Sequence, residues 1–171
     1  MSRSYYVDLS VTDVPPLLEE PYSPPERVSR WRVNFYYTSG SKEEDFWKDE
    51  GKFWNKDVEG FLDHRSGAQE VLAKTVAAGD TPEQKIRKLY AFVAGLENRS
   101  YIPRRSDAET RILEIKENEN AEEVLRQKSG NHEDINRLLV ALAREAGIQG
   151  WMIWVPDRSD ELFEEHFLNT N

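Results

Sequence analysis

The sequence NAEEVLRQKSGNHEDINRLLVALAREAG, residues 120–147, holds the most regular helical pattern of the chain. Ile135, Leu138, Leu139, Leu142 and Ala146 recur at intervals of three and four, which places one continuous apolar stripe on a helix. Asn131 stands where an N-cap belongs, and Glu133 and Asp134 put negative charge on the first turn, where the helix dipole favours it. Gly147 follows the last periodic residue as a stop signal. Outward on the C-terminal side, Trp151-Met152-Ile153-Trp154-Val155 reads as a buried strand fed by this helix.

Outward on the N-terminal side, residues 81–103 read TPEQKIRKLYAFVAGLENRSYIP. Thr81 caps and Pro82 occupies the first turn, where its missing N–H costs nothing. Ile86, Leu89, Tyr90, Val93 and Leu96 mark the face expected to be buried. Before it, Ala68, Val71, Leu72, Thr75 and Val76 predict a short helix closed by Gly79. Phe46, Trp47, Phe53, Trp54, Val58, Phe61 and Leu62 predict two short helices broken near Gly51. Core packing is the favoured reading of that aromatic stripe over a ligand cage. The charged, weakly periodic segment from Arg104 to Glu119 reads as an exposed loop, with a lid over a cleft as the minority reading.

At the N-terminus, Tyr5, Val7, Leu9 and Val11 alternate with polar partners, and Trp31, Val33, Phe35 and Tyr37 do so again. These predict two strands, paired with each other or with another copy of the chain, separated by a proline-rich extended stretch.

The order of residues resembles the transglutaminase-like superfamily, whose fold is similar to papain-like cysteine proteases. That family carries a Gly-x-Cys-x-Asp loop followed by a helix of the form LxxALxRxAGI. Here the matching text is GNHED at residues 130–134 and LVALAREAGI at 139–148. The segment 81–103 resembles the helix that precedes this motif, with Asn98-Arg99-Ser100-Tyr101 as its terminal turn. The resemblance implies an α+β protein: a mainly helical papain-like core, two N-terminal strands and a strand after the central helix. It also implies bacterial relatives in which a β-rich domain precedes this one. Residues 1–41 then read as the tail or connector of such a domain, and 42–171 as the transglutaminase-like core. Both ends read as cuts, which predicts a piece of a longer protein whose core continues past Asn171, with a periplasmic or exported parent as one reading.

In that family the thiol sits at a helix N-terminus, a downstream histidine is its base, and an acidic or amide group orients the histidine. His132 occupies the nucleophile's place, and the chain contains no cysteine. Asp134 is adjacent to it. His166 is the candidate base by spacing, but EHFLN replaces the expected strand of the type His-Ala-Trp-Val, and an acidic run precedes it. Ser129 lies three positions ahead of the nucleophile's place, a poor seat for attack. His64, between Asp63 and Arg65, reads as solvated.

The remaining chemistry is bounded by absences in the text. There is no HExxH pattern and no glycine-rich phosphate loop, so no metal and no cofactor is expected. The net charge of −9 without a basic block argues against nucleic acid. No apolar run reaches membrane-spanning length. The absence of cysteine excludes disulfides without assigning a compartment. The expectation is a non-catalytic scaffold or binding domain, with room for a protein or peptide partner and for self-association through the N-terminal strands. The alternative is a hydrolase or acyl transferase using His132 and groups beyond this stretch.

Overall fold

A computed structural model describes residues 8–16, 21–24, 29–30, 32–33, 42–101, 116–157, 163–166 and 168. The chain forms two compact units. One comprises Met1–Phe46 with Trp154–Asn171, the other Trp47–Ile153. The larger unit is mainly helical. Among the described residues the elements are α1 (Glu43–Asp63), α2 (Ala68–Thr75), α3 (Pro82–Ala94), β1 (Glu97–Asn98), a 3₁₀ turn (Arg99–Tyr101), α4 (Ala121–Gln127), β2 (Ser129–Gly130) and α5 (His132–Glu145). Helix α1 enters the larger unit at Trp47.

α5 is the central helix. It packs against α2, α3 and α4, and Leu138, Ala141 and Leu142 are fully buried. Val58, Phe61 and Leu62 of α1, Ala68 of α2, Leu89 and Val93 of α3, and Ala121 and Val124 of α4 complete the core. Leu139 and Ile135 are partly buried and flank it. The stripe at three- and four-residue spacing is thus the physical cause of the layout: α5 is covered on several sides, and each covering helix contributes one to three buried apolar side chains.

Local chemistry sets the helix ends. At α3, Thr81 Oγ1 accepts from the Gln84 N–H and the Gln84 side chain accepts from the Thr81 N–H, with Pro82 in the first turn. At α5, Asn131 and Asp134 form the same reciprocal box. The far end of α5 closes on Gly147, whose φ of 79° is one that glycine adopts without a side-chain penalty. There the Ile148 N–H reaches the Ala143 carbonyl (2.9 Å) and the Gly147 N–H the Arg144 carbonyl (3.0 Å), two bonds that satisfy orphan carbonyls of the last turn. Arg144 fixes α5 to α1 through two hydrogen bonds to Glu59, 2.6 and 3.0 Å, while its Nε donates to the Gly150 carbonyl.

Several expectations need correction. Gly51 does not break the first helix: α1 runs through it, because an interior glycine costs about 1 kcal/mol without removing a hydrogen bond. Phe53 and Tyr90, read as facing the core, are exposed. Residues 151–155 form no strand, and Trp151, Ile153, Trp154 and Val155 are exposed, with only Met152 turned onto the core of the larger unit. Among the described residues no strand lies beside this segment, and a strand without a ladder partner has nothing to bond its backbone. Of the first predicted N-terminal strand, residues 8–11 are irregular and exposed, and residues 5–7 lie outside the described residues. Most of the second, Trp31 and residues 34–38, also lies outside them. The only sheet among the described residues is the parallel pair β1–β2, with Glu97 opposite Ser129 and Asn98 opposite Gly130.

Candidate functional site at the start of the central helix

The β1–β2 pair brings two loops together. α4 ends at Lys128 in the left-handed region (φ 53°), and its carbonyl accepts from the Glu97 N–H (3.1 Å). The chain then passes through Ser129 and Gly130 into α5, while β1 leads into the turn Arg99–Tyr101. The turn and the start of α5 therefore meet, and the candidate side chains Ser100, His132 and Asp134 come from these two places.

Asp134 is the inward member. It is only 7% exposed, and a carboxylate at such a position needs donors to offset its lost hydration. Its Oδ2 accepts from the Asn131 N–H (3.0 Å) and from Asn118 Nδ2 (2.9 Å), and Arg99 Nη2 stands 3.9 Å away. Asn118 also donates to the Ser129 carbonyl (3.1 Å) and accepts from Gln127 Nε2 (2.7 Å). Arg99 is held in turn by the Lys116 carbonyl (3.0 Å). Gly130 lies directly against the carboxylate: a Cβ there would sit 2.8 Å from Asp134 Cβ.

His132 is the outward member and is exposed. Its own backbone N–H donates to Ser100 Oγ (2.8 Å), and its Nδ1 is 2.9 Å from the same oxygen. The Ser100 N–H is fixed by Asn98 Oδ1 (3.0 Å). His132 and Asp134 thus share a helical turn, but one contacts the 3₁₀ turn and the other the buried amide network. His166 is in the other unit, where its Nδ1 pairs with Glu43 (2.7 Å) and Glu165 is 3.7 Å from its Nε2. The hydrogen bond to the Glu43 carboxylate, with its negative charge, raises the His166 pKa above the ordinary 6.5. Ser129 is buried, and its carbonyl serves Asn118. The His64 carbonyl accepts from the Glu122 N–H. Among the described residues no group of three or more His, Asp or Glu side chains converges on a metal position.

Two residues that shape the site were not singled out in the sequence. Ser100 lay inside the turn Asn98–Tyr101 that the sequence reading marked, but only as backbone. Asn118 lay in a segment read as exposed loop, although it is partly buried on Asp134. An uncharged amide in an otherwise charged run was the signal available.

A family model described as the transglutaminase-like superfamily matches residues 69–161. That is more than half of the chain, and it spans α5 and the loop before it. The chain belongs to this superfamily. No curated protein and no solved structure matches it. Among the described residues no helix is long and apolar enough to cross a membrane.

Proposed function

We propose that this transglutaminase-like domain is non-catalytic and acts as a scaffold or binding domain. The observation that carries this reading is the occupant of the nucleophile's place. His132 stands at the first turn of α5, in a chain without a single cysteine, and its ring is engaged by Ser100 rather than presented to a thiol. The neighbouring acid supports the same reading. Asp134 spends its hydrogen-bonding capacity on Asn131 and Asn118, which holds the loop rather than a base. A protein or peptide is the partner class this role implies.

Replacing His132 by cysteine tests the reading. The helix terminus favours a thiolate, so His132→Cys should be alkylated by iodoacetamide faster than a free thiol at neutral pH. It should still hydrolyse or transamidate no glutamine peptide, because a nucleophile alone does not make the base. Turnover by that variant would mean that the remaining catalytic groups are present and would count against a scaffold role.

The alternative, a hydrolase or acyl transferase working through His132, has one observation in its favour: a hydroxyl lies within hydrogen-bond distance of the imidazole. Steady turnover by the unsubstituted protein is its requirement.

A further inference from the structure

We propose that Ser100 is a reactive hydroxyl that takes one acyl or phosphoryl group from small activated electrophiles. This goes beyond the non-catalytic reading without replacing it, since the reaction is a single transfer and not a cycle.

Three features of the pair point there. Ser100 Oγ accepts the His132 N–H (2.8 Å) and stands 2.9 Å from His132 Nδ1. In the tautomer that carries its proton on Nε2, Nδ1 is the acceptor and takes the hydroxyl proton. A hydroxyl hydrogen-bonded to an acceptor imidazole is the arrangement that makes serine nucleophilic. The N–H on Oγ belongs to the first residue of a 14-residue helix, whose positive end stabilises negative charge developing on the oxygen. Both residues are exposed, so a small electrophile can reach them. The 3₁₀ turn keeps the hydroxyl in place through the Ser100 N–H bond to Asn98.

The step balances with the groups present. With p-nitrophenyl acetate, Oγ forms a bond to the acetyl carbon, the hydroxyl proton passes to Nδ1, and the carbon–oxygen bond to p-nitrophenolate breaks. With a fluorophosphonate, Oγ bonds to phosphorus and fluoride leaves, its charge balanced by the same proton. The reaction then stops. Among the described residues no carboxylate holds His132 Nε2, so nothing orients the imidazole to activate water against the acyl-serine.

The test is labelling of the whole chain with a fluorophosphonate probe, followed by peptide mapping, and a p-nitrophenolate burst with the acetyl ester. One equivalent of label on Ser100 is expected, with a burst of one equivalent and no steady rate. Ser100→Ala should lose the label. His132→Gln, which keeps the serine and the helix, should slow labelling at least tenfold. Circular dichroism confirms that each variant is folded. No label on Ser100 in the unsubstituted protein, or equal labelling in His132→Gln, overturns the proposal and leaves the non-catalytic reading standing. A burst followed by sustained turnover overturns the single-transfer limit of the proposal and the non-catalytic reading together.

Discussion

Gly130 and Asp134 are packed so closely that a Cβ on the glycine would lie 2.8 Å from the aspartate's Cβ and 3.2 Å from its Oδ2. A glycine at this position lets the β2 backbone approach the first turn of α5, which in turn lets Asp134 reach the Asn131 N–H. The limiting contact is with Cβ, the root of the aspartate side chain, so relief at its flexible end does not remove it. Gly130→Ala is therefore expected to lower unfolding stability by about 1–3 kcal/mol, the usual range for overpacking. Gly51, around which a Cβ meets nothing within 4 Å, is the control. Gly51→Ala should stabilise by up to about 1 kcal/mol through helix propensity. Urea unfolding of the two variants checks both signs.

Asp134 holds its loop by accepting hydrogen bonds, which separates two substitutions. Asp134→Ala leaves the Asn131 N–H and the Asn118 amide without their acceptor and should cost about 1–3 kcal/mol. Asp134→Asn keeps one carbonyl oxygen and should cost less. Equal losses would mean that charge next to Arg99, 3.9 Å away, matters more than the hydrogen bonds. Denaturant midpoints at matched slope decide it.

Leu142 is fully buried among the covering helices. Truncation by Leu142→Ala should cost about 2–5 kcal/mol, and a smaller loss is expected at the partly buried Leu139. Thermal or chemical denaturation of the pair measures the difference directly.

The contrast between these residues also shows what the sequence could and could not reveal. α3 and α5 were legible because their causes are local: a three-and-four stripe, a capping box within four residues, a proline in the first turn, a glycine past the end. A continuous apolar run misled at residues 151–155. Such a run reports that a segment suits burial, but a strand also needs a neighbour, and neighbours are not written locally. The site divides in the same way. His132 and Asp134 fall in a motif and could be named, whereas Ser100 is 32 positions from His132 and Asn118 is 16 from Asp134. Those pairings arise only once β1 and β2 align.

Two pH effects of opposite sign follow from the ion pairs. The hydrogen bond and charge of Arg144 hold the Glu59 carboxyl below its ordinary 4.5. A lowered folded value means stability that is present above 4.5 and lost as pH falls through the folded value. Glu59 is about a third exposed, so solvent screening keeps the contribution to about 1 kcal/mol or less. Glu59→Gln should lower stability at pH 7 by that amount and flatten the acid limb of the stability curve. Its partner bond from Arg144 Nε to Gly150 is expected to survive.

His166 runs the other way. Its pKa is raised by the hydrogen bond to Glu43, so its contribution is present below the ordinary 6.5 and fades as pH rises through the raised value. An NMR titration should place the His166 midpoint above 6.5, and Glu43→Gln should return it towards that value. An unchanged midpoint in Glu43→Gln would show that the neighbouring Glu165 carries the effect.

The central claim is that a transglutaminase-like domain with His132 in the nucleophile's place runs no catalytic cycle. Steady-state release of ammonia from a glutamine peptide, with and without an added primary amine, tests it most directly. The account predicts no rate in the unsubstituted protein above that of His132→Ala. A steady rate that His132→Ala abolishes would contradict it.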